Sequence, residues 1–82
     1  RIGEDVPEIL RAGLELEQAE RKDFIEAIAL CERDADYVSR NILRHLLGET
    51  EEHLDWYETQ LELIGKMGLP NYLQSSMGEI EE

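Results

Sequence analysis

The sequence has 82 residues, which is enough for one small domain at most. Eight Lys and Arg against twenty Asp and Glu give a formal charge of -12. That charge disfavours binding to nucleic acid or to an anionic membrane and suits cations. No apolar run approaches the ~18 residues of a membrane-spanning helix, and a lone cysteine, Cys31, excludes an internal disulfide. A free thiol fits a reducing compartment, so a cytoplasmic location is expected.

The first predicted helix covers residues 5–33. Asp5 is expected to cap it, with Pro7 in the first turn and Glu8 where a capping box places its acidic residue. Apolar residues then recur at steps of three and four, which is the spacing of a helix with one buried face. This stripe consists of Val6, Ile9, Leu10, Gly13, Leu14, Phe24, Ala27, Ile28 and Cys31.

A second predicted helix covers residues 36–66 and ends where Gly65 and Gly68 offer a left-handed cap. Its apolar stripe consists of Val38, Ile42, Leu43, Leu46, Leu47, Leu54, Tyr57, Leu61 and Ile64. After Pro70, a short third helix is expected over residues 71–77.

The join between the long helices, residues 34–36, contains neither Gly nor Pro. A tight antiparallel hairpin is the preferred interpretation, and one continuous bent helix is the alternative. A hairpin of two helices about 45 Å long buries a single seam. Its remaining apolar surface needs a second hairpin or the missing half of a four-helix bundle. The predicted fold is therefore an all-α, antiparallel long-helix hairpin, half of a four-helix bundle, with a short C-terminal helix.

Polar residues interrupt both stripes. Glu17 falls in line with Leu10 and Leu14, whereas Thr50 and His53 fall in line with apolar positions of the second stripe. Glu17 lies eighteen residues before Ala35 and His53 eighteen after it, so an antiparallel hairpin places them at the same height. A buried carboxylate needs a cation or a hydrogen-bond partner.

Two interpretations of Glu17 and His53 follow. Bundles with two metal ions use a Glu from each of two helices and a Glu-x-x-His pair from each of the other two, and such ligands suit iron, manganese or zinc. The alternative is a hydrogen-bonded Glu–His pair, or a pair at the solvated rim of the seam.

His45 and Glu49 are expected to face solvent, although Glu49 and His53 are spaced to hold a metal on one helix face. Cys31 is expected to be a small buried residue, and Trp56 and Tyr57 are expected to pack.

Six sequence segments, spread over most of the chain, resemble the C-terminal half of bacterioferritin. These segments are GEDVPEIL, LELE, EAIALCE, DYVSRNIL, EEHLDWYETQLELI and GKMGLPNYLQ. The resemblance runs without gaps from about Gly3 to Gln74. It implies that the two long helices are the third and fourth of the ferritin bundle, and that the short helix lines a four-fold channel. Asn71 and Gln74 match the polar residues of that channel.

The resemblance also implies roles for individual residues. Glu17 matches a terminal carboxylate ligand to iron, and His53 matches the histidine of the fourth-helix Glu-x-x-His motif. Thr50 stands where that motif has its glutamate, which bridges the two irons of the ferroxidase centre. Threonine is uncharged and too short to bridge, so the ferroxidase site is expected to be impaired. Some bacterioferritins mix two subunit types, one of which is degenerate.

The expected function is that of an iron-storage subunit, which binds ferrous iron and oxidises it for deposition as ferric mineral in an oligomeric cage. Residues 1–82 then form the C-terminal half of a subunit, with partners that are other copies of the chain or the missing N-terminal half. The resemblance places the methionine ligand of haem b in that other half. A metal-free hairpin that serves only assembly is the alternative. A different redox enzyme on the same bundle is a third interpretation, against which the channel-like tail argues.

Overall fold

The computed structural model describes residues 5–81, and their side chains as far as Ser76. Three helices make up this range: α1, Val6–Arg33; α2, Tyr37–Met67; and α3, Leu69–Glu81. The described residues contain no strand. The predicted all-α fold, with two long helices that form a hairpin, is confirmed.

The turn between α1 and α2 reverses the chain without a glycine. Ala35 adopts a left-handed backbone conformation with φ of 57°, and the backbone N–H of Asp36 donates to the carbonyl of Cys31 at 2.8 Å. The Asp36 carboxylate accepts a hydrogen bond from the backbone N–H of Ser39 at 3.1 Å, which caps α2. The hydrogen bonds from Ser39 hold the pKa of Asp36 below its usual range. A single continuous helix is therefore excluded.

The helix starts differ from the prediction in two places. Asp5 precedes α1, but its backbone is already helical and its side chain makes no capping hydrogen bond, because a capping side chain needs an extended backbone to turn back. The predicted capping box is wrong. The third helix begins at Leu69, two residues earlier than predicted, since Pro70 fits a first turn whose N–H groups need no partner. It continues to Glu81, past the predicted end at Met77.

Few apolar side chains are buried in the single chain. Of the apolar residues described, Leu10 and Tyr72 are the buried ones. Four residues assigned to the predicted buried stripes are instead exposed, by 38% to 74%: Ile9, Val38, Ile42 and Leu46. The prediction was wrong for these four because a helical stripe is wider than one seam, and the hairpin supplies only one neighbour to each helix.

Five of the exposed apolar residues lie on the same side of the hairpin. Ile9 and Leu16 lie about 100° around α1 from the seam, and Val38, Ile42 and Leu46 lie on the corresponding flank of α2. Because the helices are antiparallel, these two flanks point in the same direction. We call these five residues the open face.

The molecule is correspondingly elongated, measuring 51 × 25 × 21 Å with a radius of gyration of 16.9 Å. A compact domain of this length would have a radius of about 12 Å. None of the described helices is long and apolar enough to cross a membrane.

The third helix folds back along the end of α2. Gly68, with φ of 83°, breaks the helix between Met67 and Leu69. The hydroxyl of Tyr72 then donates to the side-chain oxygen of Gln60 at 2.7 Å, and Tyr72 itself is buried. This contact fixes α3 against the C-terminal end of α2.

Candidate metal-binding site

The hairpin brings Glu17 and His53 together across the seam. Glu17 Oε1 of α1 lies 3.6 Å from His53 Nδ1 of α2. The two residues are equally far along the chain from the turn, so the predicted level placement is what the structure shows. A separation of 3.6 Å is longer than a hydrogen bond, but two metal–ligand bonds of about 2.1 Å can span it.

The carboxylate of Glu17 is poorly satisfied by the protein. Its side chain is 16% exposed, and its second oxygen, Oε2, is buried without a hydrogen-bond partner. A buried acceptor in this state costs about 1–3 kcal/mol, and more when it is charged. One carboxylate oxygen of Glu17 is therefore buried without a partner. A bound cation would neutralise its charge and remove this cost.

His53 occupies the edge of the seam rather than its interior. Its side chain is 61% exposed, on the same flank of α2 as Ile42 and Leu46 of the open face. The expectation that His53 lies inside an apolar seam is therefore wrong for the single chain. The imidazole contacts Glu17 from the side on which the hairpin lacks neighbouring helices.

Thr50 is the most buried polar residue described, at 4% exposed. It lies three residues before His53 on α2, so the two are neighbours on the helix surface. The motif position that the resemblance assigns to a bridging glutamate therefore does face the interior. What stands there is an uncharged hydroxyl.

A close contact between Gly13 and Tyr57 was missed from the sequence. A Cβ on Gly13 would lie 2.5 Å from Cζ of Tyr57 and 2.6 Å from its Cε1 and hydroxyl oxygen, so the ring lies directly on the backbone of α1. The hairpin register was the available signal for this contact. The residue numbers of Gly13 and Tyr57 sum to 70, as do those of Glu17 and His53, so both pairs lie at equal distances from the turn and face each other.

Other residues considered from the sequence stand apart from this pair. His45 lies 3.7 Å from Glu49 on the same exposed helix face, so Glu49 contacts His45 rather than His53. Cys31 is only partly buried. Trp56 is 53% exposed and meets Tyr57 edge to face, with ring centroids 5.3 Å apart.

The predicted channel residues lie at the start of α3. Asn71 donates from its side-chain nitrogen to the carbonyl of Met67 at 2.9 Å, and both Asn71 and Gln74 are exposed. The side chain of Asn71 therefore satisfies a carbonyl at the end of α2. Their place in a four-fold channel stays a prediction.

The donors available from one chain are few. Among the described residues, no group of three or more His, Cys, Asp and Glu side chains converges on one point. Glu17 and His53 supply two donors of the kinds that suit iron, manganese or zinc. A complete coordination shell would need further ligands from another segment or from water.

The fold and this pair define a class: a hairpin of long antiparallel helices in which a carboxylate and an imidazole face each other across the seam. The sequence matches the family model described as a ferritin-like domain over residues 1–67. The chain belongs to the ferritin family.

Individual relatives agree with this assignment. The chain is 53% identical over 76 residues to a bacterial ferritin of Pseudomonas aeruginosa, covering 92% of this chain and 49% of the relative. It is 49% identical over 78 residues to a bacterial ferritin of Synechocystis, covering 94% of this chain and 50% of that protein. It is 38% identical over 82 residues to a bacterioferritin of Brucella melitensis, covering 100% of this chain and 51% of that protein. The chain thus spans about half the length of these curated relatives.

Proposed function

We propose that this chain is part of an iron-storage subunit of the bacterioferritin type, in which Glu17 and His53 bind ferrous iron as substrate. The observation that carries the proposal is the state of Glu17. Its carboxylate is held in the seam with one oxygen 3.6 Å from His53 and the other without a partner. Membership of the ferritin family supports iron as the cation.

The two side chains suit this substrate for different reasons. An ionised carboxylate favours the harder ferric ion over the ferrous ion, which makes oxidation of bound iron more favourable. A neutral imidazole accepts ferrous iron without adding charge, provided that it is deprotonated. The formal charge of -12 raises the local concentration of cations around the molecule.

The ferroxidase step is proposed to be impaired by Thr50. A bridging carboxylate places two oxygens between two cations and offsets part of their mutual repulsion. Thr50 is buried at the position from which such a bridge would reach the site, yet it offers one uncharged oxygen. The expected consequence is slower oxidation of iron, with binding by Glu17 and His53 retained.

The remaining ligands and the covering of the open face are proposed to come from other chain segments. These are the half that the curated relatives possess in addition, or further copies of the chain, in an oligomeric cage. Haem b is proposed only for the assembled protein. The family resemblance places its methionine ligand in the other half of the subunit, outside this chain.

The test of the impaired step is the Thr50→Glu variant of the assembled protein. Restoring a carboxylate should raise the initial rate of ferrous oxidation, measured by the rise in ferric absorbance after mixing with oxygen. Thr50→Gln, which matches the length without the charge, is the control and should stay slow. A flat rate in Thr50→Glu, with iron bound at full occupancy, would contradict this explanation of the defect.

The second candidate function is a metal-free hairpin that serves only oligomer assembly. One observation favours it: among the described residues, two donors approach each other rather than three or more. Under this alternative, ferrous iron has no effect on the melting temperature. The anaerobic spectrum with added metal would equal that of the metal alone.

A further inference from the structure

We infer that Gly13 and Tyr57 are positioning residues that set the separation of Glu17 and His53. The inference rests on the proposed metal-binding role of that pair and identifies what holds it in register. Neither residue has a metal-ligating role of its own in this account. Their effect is exerted through the spacing of the two helices.

The register of the hairpin places Gly13 and Tyr57 next to the proposed ligands. Gly13 precedes Glu17 by four residues on α1, and Tyr57 follows His53 by four residues on α2. A step of four residues is about one helical turn. The Gly13–Tyr57 contact therefore lies directly beside the Glu17–His53 contact along the seam.

The contact between Gly13 and Tyr57 is close. The Tyr57 side chain occupies the space that any side chain on Gly13 would fill, with two ring carbons and the hydroxyl oxygen within 2.6 Å of the Cβ position. An aromatic ring lying on a backbone is a rigid spacer, because it has only two rotatable bonds. It sets how closely the helices approach at this level.

The proposed ligands do not hold each other in place. Their donor atoms are 3.6 Å apart in a pair that no hydrogen bond holds, and Glu17 Oε2 has no partner. Nothing in the pair itself fixes its spacing, so that spacing depends on the contacts beside it, and the Gly13–Tyr57 contact lies one helical turn away. A shift of the helices by a few tenths of an ångström at Gly13 is transmitted to the next turn, since helices are stiff along their axes.

The glycines of α2 show that this contact is specific. A Cβ on Gly48 or Gly65 would meet nothing within 4 Å. An alanine at Gly48 therefore makes the same chemical change as one at Gly13, with the same gain in helix propensity, but without moving a neighbour. Gly48→Ala is the matched control.

The experiment is an anaerobic titration with Co²⁺, whose visible bands report coordination by carboxylate and imidazole. Gly13→Ala should weaken Co²⁺ binding about 10-fold or more, the lower end of what is typical when groups supporting a metal ligand are changed. Tyr57→Leu, which removes the ring, should also weaken it. Tyr57→Phe, which keeps the ring, and Gly48→Ala should bind as the unaltered protein does.

The outcomes separate the inference from the function on which it rests. If the unaltered protein shows no Co²⁺ bands, the proposed function fails and this inference fails with it. If the unaltered protein binds and Tyr57→Leu binds equally tightly with the same spectrum, the positioning role alone is overturned. Helical content by circular dichroism is measured for each variant, and should Gly13→Ala fail to fold, the comparison of Tyr57→Leu with Tyr57→Phe decides.

Discussion

At the scale of single residues, the unusual feature is a carboxylate kept in a helix seam at a cost. Glu17 is 16% exposed, meets His53 at 3.6 Å and leaves Oε2 without a partner. An apolar residue at this position would pack without that penalty. A group that costs stability in the metal-free state is expected where function needs it.

The first prediction is that Glu17→Met stabilises the metal-free protein. Methionine has a similar length and removes the unpartnered carboxylate, so the free energy of unfolding should rise by about 1–3 kcal/mol. Urea denaturation with a chelator present measures the change. Glu15→Met, at an exposed position on the same helix, should change little. A destabilised Glu17→Met would show that the carboxylate has a compensating partner within the protein.

At the scale of secondary structure, the sequence predicts the hairpin and both of its long helices, with every helix end within one residue of the observed one. Apolar periodicity carries that information. The third helix is longer than the predicted one, because proline fits the first turn of a helix and Pro70 therefore lies within it. The exposure of Ile42 and Leu46 could not be predicted, since periodicity marks an apolar flank without showing which neighbour covers it.

Some features of the candidate site can likewise be predicted from the sequence, and others cannot. Equal distances from the turn sufficed to place Glu17 level with His53. The burial of Thr50 also followed from its place in the stripe. The register also places Gly13 level with Tyr57 but does not predict the closeness of their contact, because a glycine within a helix can equally face open space, as Gly48 does.

The second prediction concerns the turn. Ala35 has φ of 57°, a conformation that costs a residue with a Cβ about 1–2 kcal/mol and glycine almost nothing. Ala35→Gly should therefore stabilise the protein by about 1 kcal/mol after the larger chain entropy of the unfolded state is included. Thermal unfolding measures it, and Ala29→Gly, within α1, should be destabilising instead. A lower melting temperature for Ala35→Gly would mean that the turn is not strained.

The third prediction concerns the cap of α2 and its dependence on pH. The pKa of Asp36 is lowered by its hydrogen bonds with Ser39, so the folded state holds the ionised carboxylate more tightly than the unfolded state does. The cap is therefore fully effective above the ordinary pKa of about 4 and is lost as pH falls through the lowered value. Asp36→Asn keeps a capping side chain without a titrating group.

Melting temperatures between pH 2 and pH 7, a range of about five units around the ordinary carboxylate pKa, test this account. The difference between the unaltered protein and Asp36→Asn should shift in favour of the variant as the solution becomes acidic. A difference that is constant across the range would contradict the capping role.

At the scale of the whole molecule, two properties oppose each other. The open face favours association, because its apolar residues remain exposed in the single chain. The charge of -12 opposes association between copies. The elongated shape, with a radius of gyration of 16.9 Å, indicates that one chain does not bury enough apolar surface for an ordinary compact core.

The fourth prediction is that the chain associates through the open face and does so more strongly as salt screens its charge. Leu16→Ser combined with Ile42→Ser should weaken the association, measured by sedimentation at low and high ionic strength. Ile25→Ser is the control, because Ile25 is exposed on the other side of the hairpin. Equal losses in both variants would mean that association does not use the open face.

The most direct test of the central claim is the melting temperature of the protein with and without ferrous iron under anaerobic conditions. Iron at a hundred times its dissociation constant should stabilise the folded state by about 2.7 kcal/mol, which is a rise of several degrees. The Glu17→Ala, His53→Ala double variant should keep its assembly and lose this rise. An unaltered protein that melts at the same temperature with and without iron, or a double variant that gains as much as the unaltered protein, would contradict the assignment of these two residues.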